Sequence, residues 1–181
     1  MNDAGNNQTR ISNTDSNEAH PSWSPTGSHL AVTSDRDDQS EIYSMNSFGG
    51  AQTNLTEADG EDIYPDWGMA AWDPHRDEAI VFASDRDGDF EIFIMEADGS
   101  NQTQLTFNEV EDSAPSLSPD GDKIAFSSTP EGNHDIFVMN VAGSSPNRLT
   151  ETPANESKPV WSPSGVPRIA YSSTANGPSE A

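Results

Sequence analysis

The residues best suited to hold a ligand form the acidic string Asp85, Asp87, Asp89 and Glu91, in the segment DRDGDFE. Alternating carboxylates around a glycine can present oxygens to Ca²⁺. A sister segment carries Asp35, Asp37, Asp38 and Glu41, while a third, TPEGNHD, has lost the pattern. The string lacks the full spacing of an EF-hand loop and its downstream bidentate glutamate. The competing reading is a hairpin turn whose aspartates cap backbone amides. Its recurrence at a fixed place in the chain supports the turn. The expectation is therefore no metal and no cofactor, with calcium the ion these four residues would take if they took one.

Other chemistry finds less support. The histidines His20, His29, His75 and His134 share no element at metal-ligand spacing. Serine is abundant, but no G-x-S-x-G nucleophile elbow occurs. Cysteine is absent, which removes thiolate nucleophiles, disulfides and Cys-based zinc sites. Carboxylate pairs are so frequent that they do not point to glycosidase chemistry. The chain is thus expected not to be an enzyme. Trp72 stands apart from three tryptophans that recur in register, on a loop where it could anchor a protein partner.

The elements that must position these residues come in repeats. Ile11, Leu55, Leu105 and Leu149 each open an Ile-Ser or Leu-Thr pair, followed twelve residues later by Trp23, Trp67, Leu117 and Trp161. Two residues before each of these stands Pro21, Pro65, Pro115 or Pro159. Then follow a turn (SPTG, SPDG or SPSG), a short apolar strand (LAV, IVF, IAF or IAY), a polar turn and a second strand (EIYSMN, EIFIME or DIFVMN). The period is 44 residues from Ile11, 50 from Leu55 and 44 from Leu105. The longer middle unit is explained by an insertion at residues 68–73, which carries Trp72. Four short strands per unit at this period predict propeller blades. Nearly continuous apolar runs such as EIFIM suit strands covered on both faces.

The segments PSWSPTG, PSLSPDG and PVWSPSG, with IAFSS and VFASDRDGDFEIFIMEADGSNQTQLT, resemble the WD40-like repeat of TolB-type β-propellers. The resemblance runs over residues 5–173. It implies an all-β propeller of four-stranded blades, with three complete repeats and partial repeats at both ends. The whole chain, 1–181, reads as one repeat array, with residues 174–181 a loosely held or disordered tail. In function it implies a non-catalytic scaffold binding a protein or other ligand, in the periplasm or outside the cell. The alternative is the propeller portion of a larger enzyme, of the prolyl-oligopeptidase, tricorn or oligogalacturonide lyase type, which gates substrate access. The partial ends hold strands one, two and four of a further blade. This leads to the expectation that Thr9 to Ser12 pairs beside Trp161 and Ile169 to Tyr171, in a closed four-bladed ring or in a self-associated one.

Charge narrows the partners. With 31 acidic and 8 basic residues the net charge is −23. Phosphate binding needs clustered Lys and Arg, so nucleic acid is excluded as a partner, and anionic membranes are disfavoured. No apolar run has the length of a membrane span, and the opening residues MNDAGNNQTRIS do not read as a signal peptide. Such a balance resembles that of halophilic proteins. Like-charge repulsion opposes the folded state and is screened by salt. The thermal midpoint should therefore rise between low and molar NaCl, and a flat or falling midpoint in a scanning experiment would refute this.

Overall fold

The computed structural model describes residues 6–70, 78–163 and 165–175. Among them every regular element is a β-strand. Blade 1 contains β1 (Glu18–Trp23), β2 (His29–Ser34), β3 (Glu41–Asn46) and β4 (Thr53–Asn54). Blade 2 contains β5 (Asp62–Met69), β6 (Glu78–Ser84), β7 (Glu91–Glu96) and β8 (Thr103–Gln104). Blade 3 contains β9 (Asp112–Leu117), β10 (Lys123–Ser128), β11 (Asp135–Asn140) and β12 (Asn147–Arg148). A two-stranded sheet follows, β13 (Glu156–Trp161) and β14 (Ile169–Ser173). Each blade is an antiparallel meander in chain order. The inner strands pack in succession, β1 on β5, β5 on β9 and β9 on β13. This is the expected propeller array of three full blades. The middle insertion lengthens β5, whose register runs on to Met69 opposite Glu78.

Side chains alternate across each strand, so one apolar run serves two junctions. Ile80, Phe82, Phe93 and Met95 face blade 1, packing with Ala31, Ile42 and Leu55. Their neighbours Val81, Ala83, Ile92 and Ile94 face blade 3, packing with Leu117, Ile124, Phe126 and Met139. Trp67 lies in the first of these clusters and Trp161 donates its indole N–H to Ser116 O at 3.1 Å. The recurring aromatic thus packs back on the preceding blade. Trp23, with no described blade before it, is 53% exposed.

The recurring Leu-Thr pair has a mechanical role. The Leu amide continues the ladder, as Leu55 N donates to Ile42 O at 2.8 Å, and Leu105 and Leu149 repeat this with Ile92 and Ile136 at 2.7 Å. One residue on, the backbone leaves the sheet and the Thr hydroxyl takes its place. Thr56, Thr106 and Thr150 Oγ1 accept from the amides of Ile42, Ile92 and Ile136 at 3.0, 2.8 and 2.8 Å. The departing chain then lies over a glycine in the hairpin of the next blade. A Cβ on Gly99 would lie 2.7 Å from Leu55 O, and Gly143 meets Leu105 O in the same way.

Ile11 repeats this geometry against Gly49 and packs on the blade 1 cluster of Leu30, Val32, Tyr43 and Met45. The N-terminal segment therefore docks on blade 1 as the close of a preceding unit. Within the one chain it does not pair with the C-terminal sheet, as the closed ring required: residues 9–12 form no strand and β14 pairs with β13. Ile11 is instead held by its packing on the blade 1 cluster.

These contacts predict unequal costs at two positive-φ glycines. Gly99→Ala combines a left-handed φ of +88° with the Leu55 clash. Gly88→Ala meets nothing within 4 Å at φ +126°. Gly99→Ala should lose at least about 2 kcal/mol more in urea unfolding than Gly88→Ala. Equal losses would show that the junction can move aside.

Candidate binding site at the propeller axis

The innermost strand of every sheet carries a β-bulge just before its recurring proline. Register breaks fall between Ala19 and Ser22, Ile63 and Asp66, Ser113 and Ser116, and Ser157 and Val160. In each, the pre-proline residue takes a positive φ: His20 50°, Tyr64 56°, Ala114 49° and Lys158 54°. A bulge bends its strand and re-aims a side chain. A left-handed residue before proline is strained, and such strain collects at functional sites. Four independent strands accept it at one position.

The bulges converge. His20, Tyr64, Ala114 and Lys158, with the four prolines, line an open cavity of about 320 Å³. The His20 and Tyr64 rings lie 4.0 Å apart between centroids, and Lys158 Nζ sits 5.7 Å from the Tyr64 centroid. Burial lowers the His20 pKa, and the nearby Lys158 charge lowers it further. Two of the bulge amides are met by hydroxyls of the preceding sheet, Tyr64 N by Thr33 Oγ1 at 3.3 Å and Lys158 N by Ser127 Oγ at 3.2 Å.

Asp66 lines the same cavity and braces its strands. Its Oδ2 accepts the Leu117 amide at 2.7 Å and its Oδ1 accepts the Ser22 hydroxyl at 3.1 Å, so one carboxylate ties three blades. Burial pushes its pKa up, against these hydrogen bonds and that of Ser116. The arrangement offers a cation, an imidazole and an aromatic face on proline walls. It suits holding an anionic or polar group.

The acidic string is not gathered into one site. Asp85 Oδ1 accepts the Glu61 amide at 2.6 Å, Asp87 Oδ2 accepts Gln104 Nε2 at 2.6 Å, and Glu91 Oε1 accepts the Asn108 amide at 2.6 Å. Asp89 Oδ2 is buried without a partner. Among the described residues no group of three or more His, Cys, Asp or Glu side chains could hold a metal ion. Trp72, the proposed partner anchor, and His75 lie outside the described residues.

The chain as a whole matches the profile of the TolB beta propeller domain, over residues 2–113 and 109–180. It belongs to the TolB beta-propeller family. Among solved structures it is similar to a TolB-designated protein from Agrobacterium tumefaciens, at 27% identity and TM-score 0.74 over 89% of this chain and 56% of that one. It is also similar to TolB from Acinetobacter baumannii, at 29% identity and TM-score 0.66 over 80% of this chain and 35% of that one. A Mycobacterium tuberculosis puromycin-hydrolyzing peptidase shares the fold at 20% identity and TM-score 0.61, over 80% of this chain and 24% of that one. No curated protein matches the sequence. This TolB-family chain spans little more than half the length of the first relative and about a third of the second. Among its described residues no helix is long and apolar enough to cross a membrane.

Glu91 gives a pH test. It is 1% exposed, and burial pushes its pKa from 4.5 up to about 7. Contacts with Thr106 and Asn108 oppose the rise, while the charges of Asp112 and Asp89 add to it. A raised folded pKa means that the folded chain binds more protons, so this stability is full below 4.5 and lost as pH rises through 7. Glu41, Asp66 and Asp112 are raised too and slope the same way. The thermal midpoint should fall from pH 4.5 to 7.5, and Glu91→Gln should flatten part of that fall. Identical slopes in both proteins would place its origin elsewhere.

Proposed function

We propose that this chain is a non-catalytic binding scaffold, whose protein partner docks on the axial face in the periplasm or outside the cell. The observation that carries the reading is the convergence of four strained bulges on one open cavity. Its contact chemistry is unusual for this chain. Lys158 is one of only two lysines in a molecule of net charge −23, and it stands at the axis. An acidic or carboxylate-bearing group on the partner would find there a positive charge that the remaining surface rarely offers. The TolB likeness supports a role in protein assembly rather than chemistry. Self-association that completes a ring belongs to the same reading, since Val160 and Tyr171 of the last sheet are exposed. The competing role, a propeller gating an enzyme, rests on fold likeness alone.

The test is retention of an envelope protein on the immobilised chain, compared between wild type and two axial variants. Lys158→Glu and Tyr64→Ala should each weaken retention at least about tenfold, the scale of one charge-assisted contact, without lowering the thermal midpoint appreciably. A partner held equally by both variants would move the binding face away from the axis. Hydrolysis of peptide or pectic substrates by the chain would overturn the scaffold reading itself.

A further inference from the structure

Two junctions carry the same internal latch. At the entry to blade 1, Arg36 donates to Glu18 Oε1 at 3.3 Å, to Ser34 Oγ at 2.9 Å and to Gln52 Oε1, with its guanidinium 4.0 Å from the Tyr43 ring centre. Between blades 1 and 2, Arg86 donates to both oxygens of Asp62 at 3.0 and 3.1 Å. It also reaches Ser84 Oγ and Gln102 Oε1, both at 2.8 Å, and lies 4.6 Å over Phe93. An acid, a hydroxyl, an amide and an aromatic face thus recur around one guanidinium.

Between blades 2 and 3 the receiving groups persist and the arginine is gone. Asp112, Ser128 and Phe137 occupy the places of Asp62, Ser84 and Phe93. Pro130 stands where Arg86 does, and Pro146 where Gln102 does. A cavity of about 420 Å³ opens at this point, with Asp112 and Ser128 at its polar end and Leu105, Phe126 and Met139 among its apolar walls. Phe93 beneath its guanidinium is 5% exposed, whereas Phe137 is only half-buried. Asp112 is 1% exposed; its Oδ2 accepts Asn108 Nδ2 at 2.8 Å and its buried Oδ1 has no partner.

We infer that this third junction is a binding site for a guanidinium group supplied from outside the chain. The planar fork would pair with Asp112 and Ser128 and lie on the Phe137 ring, as Arg86 does on its own receivers. The apolar walls would take the methylene stem. A hard metal ion does not fit, because it needs six or more oxygens and these walls are largely hydrocarbon. Both a free small guanidine and an arginine side chain of a peptide present this chemistry.

The test is calorimetric or NMR titration of the whole chain with agmatine, with Nα-acetyl-argininamide and with the lysine counterpart of the latter. Saturable binding is expected for the guanidinium probes, at least about tenfold tighter than for the lysine analogue. Agmatine binding as tightly as the amide would identify a small-molecule site, and preference for the amide an arginine in a chain. Asp112→Asn should abolish binding. The double variant Pro130→Arg with Pro146→Gln rebuilds the internal latch, so it should both block the probes and raise the thermal midpoint. No saturable binding, or unchanged binding in the double variant, would overturn the inference. Retention of an envelope partner by the axial face is a separate measurement, so the two readings fail independently.

Discussion

Every blade in this molecule depends on the junction with the blade before it. An apolar run such as EIFIM exposes side chains on both faces of its strand, so no blade is stable alone. The junction is therefore more than a hydrophobic contact. The Leu-Thr segment of one blade must leave its sheet without abandoning backbone hydrogen bonds. A threonine hydroxyl accepts the amide that the departing carbonyl no longer serves. The next blade must let that segment pass, and the glycine at its hairpin removes the Cβ that would collide with it. Sequence signals that look like separate punctuation, the Leu-Thr pair and the hairpin glycine, are two halves of one contact.

The same junction explains why so acidic a chain buries carboxylates. Glu41 and Asp62 meet across one junction, Glu91 and Asp112 across the next, and each pair would repel unless a proton or a cation intervened. Arg86 supplies the cation for Asp62, and Arg148 pairs with Asp135 at 2.7 Å beside the last junction. The middle pair has no such ion pair among the described residues, and there Glu91 titrates near 7. Burial is the main cause of that rise, and the Asp112 charge adds to it.

The fold was legible because the period, the turns and the alternation agree with one another. The axial site was not, although its signal was present: His20, Tyr64, Ala114 and Lys158 are the residues preceding the four in-register prolines. What a linear reading lacks is the bulge, which gives these residues a conformation that pre-proline positions normally avoid. The acidic string had two readings, a capped hairpin turn, which was favoured, and a calcium loop. In the structure a tight hairpin sends Asp85, Asp87 and Glu91 toward three different donors. Within the chain, Thr9 to Ser12 does not join the C-terminal sheet because Ile11 docks on blade 1, a contact the strand pattern alone does not display.

Departure from a repeat's own rule carries more information than conformity to it. At the third junction two prolines replace the arginine and glutamine that latch the second. Prolines restrict the unfolded chain and so offset part of the lost contact energy. That compensation leaves the receiving carboxylate without a counter-charge, its Oδ2 held by Asn108 and its Oδ1 without a partner. A buried acid without a counter-charge is costly, and an amide or apolar side chain at position 112 would relieve the cost if the site were only structural. Instead Asp112 keeps the place of Asp62, with the serine and the aromatic ring still around it. A stability argument accounts for the prolines but not for the retained acid, and a cation arriving from outside the chain accounts for both.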